Sequence, residues 1–256
     1  MKVMRVDLPR ELTGIEIHAM ADIHTGDAEC DFPLAQSMVN HVKNTENAYA
    51  ILNGDLMDIA IKSSIGDIYG AKLRPMEQLE RCVTLFDPIK DKILCIIPGN
   101  HEYRIYKQDG IDVTAIMASR LGLTDKYTPT TAMLFVRFGN DRKHGRRYCY
   151  TIYATHGSGG GRREGGKVNR LADLASIVDA DVYIHSHTHL PVAMKQSFYR
   201  ADPTNNSIAP VEKLFVNTAA ALDYGGYGDV QGFKPASKSN PIIYLDGTRK
   251  RATATV

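Results

Sequence analysis

The chain has 256 residues, 43% of them hydrophobic and 23% charged, with a formal net charge of +2. That is enough chain for one large domain with a sizeable core, and the charge is too small to argue for a nucleic-acid partner. Four cysteines without C-x-x-C spacing read as buried reduced thiols, and with no apolar leader and no run of membrane-spanning length the expected location is a reducing cytoplasm.

In chain order, residues 2–7 and 15–23 read as a first hairpin joined by a turn over 9–14. Pro33 opens a helix with Leu34, Ala35, Met38, Val39 and Val42 at helical spacing. A strand over 49–53 follows, then an irregular excursion over 60–72 that contains Gly66 and Gly70. Pro75 opens a second helix with Met76, Leu79, Cys82, Val83 and Phe86 on one face, and Pro88 ends it. A strand over 93–97 comes next. A third helical pattern covers 111–121 and is closed by Gly122.

Residues 132–138 and 147–154 read as a hairpin around a basic turn. Residues 158–166 are Gly-rich and basic, 167–179 reads as a helix, and 181–185 as a strand. The runs 192–200 and 211–217, separated by D-P-T-N-N-S, read as a second hairpin. Residues 223–241 read as a loop, and two short strands end the chain. Strands alternating with helices predict an α/β fold, and the hairpins predict a mixed sheet. No linker breaks the pattern, so 1–256 is expected to be one domain.

Five apolar strands end in residues that can bind a metal. The run Ile93 to Ile97 is followed by Pro98-Gly99 and then Asn100, His101 and Glu102. Other strands end at Asp22 and His24, at Asp55 and Asp58, at His156, and at His187 and His189. Open α/β sheets place their chemistry at the carboxyl ends of strands. Asp22 and His24 are two apart, so on an extended segment both would point to one side. The same holds for His187 and His189. Carboxylates and an amide oxygen suit Mn²⁺ and Mg²⁺, and imidazoles suit Zn²⁺, Fe²⁺ and Ni²⁺. Seven donors are too many for one ion with an open position. They suit two ions if a carboxylate bridges, and Asp55 is the candidate bridge. Two ions roughly 3.5–4 Å apart clamp a phosphoryl group and lower the pKa of a bridging water.

The blocks Asp22-Ile-His24, Gly54-Asp55-Leu-Met-Asp58, Gly99-Asn100-His101-Glu102, His156-Gly157 and Ser186-His187-Thr188-His189 stand in this order over residues 22 to 189. Together they resemble the calcineurin-like metallophosphoesterases. The resemblance implies a four-layer αββα sandwich of two mixed sheets flanked by helices. It implies one ion on Asp22, His24, Asp55 and His189, and a second on Asp55, Asn100, His156 and His187. On donor chemistry Mn²⁺ is the expected metal, with Fe²⁺, Zn²⁺, Ni²⁺ and Mg²⁺ as the alternatives. The resemblance also implies that His101 is the general acid or electrostatic stabiliser over the substrate, and that Asp58 orients it and favours imidazolium. One departure is Ser186, where the family pattern has glycine; a positive φ there would strain serine.

Other residues have plainer readings. Glu102 is expected to be structural and not a ligand. His185 and His18 are expected to pack in the core, and His41 and His144 to lie at the surface. Segment 142–170 carries eight Lys and Arg against one acid, Glu164. This is either a solvated rim or a substrate anchor. Arg162, Arg163 and Lys167, after a Gly-rich run that lets backbone approach an anion, are the candidate substrate contacts, with Arg104 beside the central block.

The expected activity is hydrolysis of a phosphate ester, a diester in preference to a monoester, by a metal-bridging hydroxide. The substrate class includes nucleotides and nucleic acids; no membrane partner is expected. The alternatives are a DNA or RNA nuclease of the same family, using the basic segment, and a catalytically silent metal-binding scaffold. The scaffold reading is disfavoured because no ligand and no His101 is missing.

Overall fold

The computed structural model describes residues 1–61, 64, 69–141 and 145–256, with the backbone alone of Tyr227. Residues 62, 63 and 65–68 of the expected excursion, part of the basic turn and His144 lie outside the described residues.

Alternation of apolar and polar residues decides which strands are central. The run K-V-M-R-V-D of β1 (Lys2–Asp7) has one apolar face and suits an edge. The next strand, β2 (Gly14–Met20), is buried on both faces over most of its length. These two therefore do not form the expected hairpin. β1 pairs in parallel with β5 (Ala132–Asp141), and β2 pairs in parallel with β3 (Ala48–Asn53), so the link over 8–13 passes from one sheet to the other.

The smaller sheet has the order β11-β10-β2-β3-β4, with β4 at Ile93–Ile97, β10 at Ile242–Asp246 and β11 at Ala252–Thr255. The larger has the order β1-β5-β6-β7-β9-β8, with β6 at Arg146–Ala154, β7 at Val182–His185, β8 at Val192–Asp202 and β9 at Ser207–Asn217. Both sheets are mixed. The two expected hairpins, β5–β6 and β8–β9, are antiparallel.

Ile17, Ala19, Ile51, Cys95 and Ile97 of the smaller sheet face Leu134, Val136, Ile152 and Ile184 of the larger, forming one core between them. A second core lies on the outer face of the smaller sheet. It holds Val39 and Val42 of α1 (Phe32–Asn44), Leu79 and Phe86 of α2 (Pro75–Phe86), and Met117 of α4 (Val113–Arg120). Leu171 of α5 (Glu164–Asp173) packs on Tyr183 and Phe215 across the larger sheet. The layers run helix, sheet, sheet, helix.

Helix α3 (Asn100–Asp109) is absent from the sequence reading. It carries no apolar stripe, and Glu102 is its one fully buried residue, so periodicity had nothing to detect. Helix α5 begins at Glu164 and not at 167, with its two glycines in the first turn. Past Phe86 a 3-10 turn continues over Asp87–Lys92, with Pro88 where its missing N–H is not needed. The loop over 223–241 contains a short helix, α6 (Gly226–Val230). It is tied down where Lys238 bonds Asp31 and where the Asn240 amide donates to Ala19 O at 2.8 Å. Among the described residues no helix is long and apolar enough to cross a membrane.

Candidate metal centre

The ends of β2 and β3 are stitched together beyond the sheet. The N–H groups of Ile23 and His24 both donate to Asp55 O, at 2.8 and 3.0 Å, and Asp22 N donates to Gly54 O at 3.0 Å. The backbone here is not extended. Asp22, His24, Asp55, His187 and His189 all have φ between 50° and 66°, the left-handed region that non-glycine residues avoid. Each such residue costs on the order of 1–3 kcal/mol, and strain of this kind concentrates at functional sites. Ser186 is not left-handed; the strain falls on His187, and the serine hydroxyl accepts the Asn53 amide at 2.7 Å.

Two glycines set the depth of Asp55. A Cβ on Gly99 would lie 2.1 Å from Asp55 Oδ1, and one on Gly54, at φ +86°, would lie 2.5 Å from Gly99 N and 2.7 Å from His156 Nδ1. Glu102 then holds the loop. Its carboxylate accepts the N–H groups of Asp55, Leu56, Met57 and Gly99, at 3.0, 2.6, 2.9 and 2.8 Å.

Three groups of candidate ligand atoms result, each within 4.8 Å of one another: Asp22, His24 and His189; Asp55, His156 and His187; and His24, Asp58 and His101. His187 and His189 thus do not point to one side; their left-handed backbones send them to different groups. Asn100 joins the second, its Oδ1 3.2 Å from His156 Nε2, which is also 3.2 Å from Asp55 Oδ2. Asp55 sits with His156 and His187, and its charge is also felt by Asp22 and His24.

The donor chemistry fits divalent cations. Asp22 Oδ1 and His24 Nε2 are buried and make no hydrogen bond; the 3.3 Å approach of His189 Nε2 to Asp22 Oδ1 lacks hydrogen-bond geometry. Buried polar atoms left this way normally have a partner, and a cation supplies one. His156 donates Nδ1–H to Asn53 O at 2.8 Å, which turns Nε2 towards the carboxylates. Burial opposes charge on His156, but Asp55 outweighs it and pushes the imidazole up to about 10. Burial, reinforced by His156, pushes His187 down to about 4, leaving it neutral with a lone pair free.

His101 stands at the edge of these groups. Its Nδ1 donates to Asp58 Oδ1 at 2.9 Å and to Asp58 O at 2.8 Å. Its other nitrogen, Nε2, accepts from Arg104 Nη2 at 2.8 Å. Burial lowers the imidazole's pKa, but Asp58 and Asp55 overcome it and raise the pKa above the ordinary value. An Arg104 N–H on Nε2 requires the lone pair there, so protonating His101 displaces the guanidinium.

Lys167 donates to Thr188 O at 2.8 Å, between the two histidines, so its ammonium braces the ligand loop. Arg162 and Arg163 are exposed before α5, and among the described residues neither makes a hydrogen bond or ion pair. His185 is buried, with Nδ1 2.7 Å from Asn217 Oδ1. His18 is buried and His41 half-exposed.

Supporting residues not singled out from sequence are Asn53, Gln78, Asn217 and Thr218. Thr218 donates to Asp22 Oδ2 at 3.3 Å, and Gln78 accepts Ile59 N–H at 2.9 Å. Asn217 and Thr218 follow the apolar run Leu214 to Val216, the same strand-end pattern that marked the other five.

A family model for calcineurin-like phosphoesterases matches residues 15–191. No curated protein matches the chain. Similar solved structures include a predicted phosphoesterase from Streptococcus pneumoniae, 14% identical, covering 95% of this chain and 90% of that one with a TM-score of 0.40. A metallophosphoesterase from Sphaerobacter thermophilus is 14% identical over 94% of this chain and 87% of its own, TM-score 0.44. A Vps29 single mutant from Entamoeba histolytica is 10% identical over 94% and 100%, TM-score 0.43. The family match takes in β2 through the two histidines after β7, about two thirds of the chain and all five strand-end blocks, and on it this protein belongs to the calcineurin-like phosphoesterases, metal-dependent phosphoester hydrolases.

Proposed function

We propose that the chain, acting as one domain, hydrolyses phosphate diesters at a two-metal centre. Asp22, His24, Asp55 and His189 would hold one ion, and Asp55, Asn100, His156 and His187 the other. The observation that carries this is the pair of adjacent buried donor groups, one of which leaves Asp22 Oδ1 and His24 Nε2 without hydrogen bonds. The mixed carboxylate, amide and imidazole set suits Mn²⁺, with Fe²⁺, Zn²⁺, Ni²⁺ and Mg²⁺ as other ions it can accept.

When bound, two such ions polarise phosphoryl oxygens and lower the pKa of a water between them. The protein's own groups do the rest. The Asn100 amide faces the phosphoryl oxygens. His101, held at Nδ1 by Asp58, transfers its Nε2 proton to the leaving oxygen as the ester P–O bond breaks. Arg104 vacates Nε2 when the imidazole is protonated and turns to a phosphoryl oxygen, where its planar fork suits two oxygens. An alkyl or nucleotide ester has a poor alkoxide leaving group that needs this proton. Arg162 and Arg163, exposed and unpaired among the described residues, would meet the substrate's second arm.

The test is hydrolysis by the Mn²⁺-loaded protein of bis-p-nitrophenyl phosphate, p-nitrophenyl phosphate, cyclic nucleotides and short oligonucleotides. The proposal expects diesters to exceed monoesters in kcat/KM. A monoester preference overturns the diester assignment. Salt-sensitive cleavage confined to oligonucleotides replaces it with a nuclease.

A further inference from the structure

A second constellation lies away from this centre, on the flank of the smaller sheet beneath α1. In β2, the face opposite the inter-sheet core carries Glu16, His18 and Met20 in succession. Met20 joins the helix-side core, while Glu16 and His18 meet His41 from the last turn of α1. Glu16 Oε2 lies 3.2 Å from His18 Nε2 and 2.9 Å from His41 Nε2, and the two imidazole centroids are 4.8 Å apart. The three ligand atoms are within 4.8 Å of one another. Asp22 lies four residues on from His18, past the end of β2.

We propose that Glu16, His18 and His41 form a separate divalent-metal site, suited to Zn²⁺, with its fourth position open to solvent.

The donor set is two neutral-capable imidazoles and one carboxylate, which zinc takes readily. At zinc–ligand bonds of about 2.0–2.1 Å, tetrahedral ligand atoms stand about 3.3 Å apart. The two contacts of Glu16 Oε2 are already near that edge length, so small side-chain rotations admit the ion. Burial favours neutral His18, so a tautomer shift from Nε2–H to Nδ1–H frees the Nε2 lone pair without expelling a proton from the ring. The ion also has a path in. His41 is 46% exposed, and Glu16 lines a groove of about 640 Å³ with Thr45, Asn47 and Tyr244. A bound ion would close the 25-residue segment between Glu16 and His41 and fasten the end of α1 to β2. Without metal the same atoms make an ordinary hydrogen-bonded triad, with both imidazoles donating to Glu16, and the experiment must separate the two.

The probe is Zn²⁺ itself. The parent, His41→Ala and Glu16→Gln are each equilibrated with micromolar Zn²⁺, dialysed, and analysed for zinc per chain. The two variants are repeated in an Asp22→Asn, Asp55→Asn background that weakens the other centre. Glu16→Gln can still hydrogen-bond but is a poor ligand, and His41 is exposed enough to truncate safely. The proposal expects each variant to hold one equivalent less than its parent in both backgrounds. It also expects zinc to raise the melting temperature of the background protein in a concentration-dependent way that His41→Ala abolishes. Hydrolysis of bis-p-nitrophenyl phosphate by Mn²⁺-loaded His41→Ala should stay within twofold of the parent. Equal zinc content in the parent and either variant overturns the site and leaves the hydrogen-bonded triad.

Discussion

Arg104 donates to the Nε2 of His101 at 2.8 Å, on the ring nitrogen opposite the one that Asp58 holds. The residues are three apart near the start of α3, which brings their side chains together on one face. Arg104 therefore covers the nitrogen from which a general acid would give its proton. Charge repulsion between Arg104 and His101 opposes protonation, while Asp58 and Asp55 favour it. Substrate oxygens that attract the guanidinium would tip this balance towards the acid.

Replacing Arg104 by alanine is expected to raise KM at least tenfold on diesters, since a charge-assisted contact is worth about 1.5–3 kcal/mol. Removing the neighbouring positive charge also raises the His101 pKa. An activity that needs protonated His101 is lost as pH rises through that pKa, so the alkaline limb of the kcat profile should move to higher pH. An unchanged KM with an unmoved profile would remove Arg104 from the reaction.

His101→Ala should leave metal content unchanged and lower kcat by roughly 10²–10⁴, the range for general acid–base catalysis. The loss should be smaller for p-nitrophenyl esters, whose leaving group departs without a proton, than for an alkyl or nucleotide diester. Loss of metal would make the histidine a ligand. An equal deficit on both substrates would make it a stabiliser of phosphoryl oxygens and not the acid.

Glu102→Gln tests the clamp on the Asp55 loop. Four backbone N–H groups point at the carboxylate, and an amide NH₂ cannot accept from the donors it would face. Each buried donor left unpaired costs about 1–3 kcal/mol. A lower melting temperature and weaker metal binding are expected together, because the same loop carries both. Parent-like stability and affinity in Glu102→Gln would show that the clamp is dispensable.

The thiols give a pH prediction independent of the metals. Burial pushes Cys82 and Cys95 from an ordinary 9.0 up to about 12. Above pH 9 the unfolded chain loses these protons while the folded chain keeps them. The unfolded state then binds fewer protons, so stability falls as pH rises from 9 towards 12. In the native state a thiol reagent should reach neither Cys82 nor Cys95 until the protein unfolds. Prompt labelling of either thiol at pH 8 would contradict the buried, protonated assignment.

What the sequence revealed follows from where its signal was local. Apolar runs broken by a turn and then by Asp, Asn or His marked the strand ends, because burial of a central strand and exposure of its terminus are written in consecutive residues. The fates of His187 and His189 were not visible. Two-residue spacing on an extended segment would align them, and only left-handed backbones divide them between groups. Sheet membership of β1 was misread because a turn of chain between two strands does not say whether they pair; β1 has one apolar face and β2 two. Helix α3 escaped because its order comes from its start, where Gly99 approaches Asp55 and Glu102 gathers loop donors, and not from an apolar stripe. The Glu16–His18–His41 group could not be read either, since His41 reaches β2 only once α1 has folded over it.

Two ions sharing Asp55 is the proposed arrangement. Metal per chain, measured by elemental analysis and calorimetry with Mn²⁺, tests it most directly in the parent and in Asp55→Asn. Two Mn²⁺ in the parent, with both affinities weakened in Asp55→Asn because a neutral amide is a poor bridge between cations, is the predicted result. One tight ion in the parent, left unchanged by Asp55→Asn, would rule out a carboxylate shared by two ions.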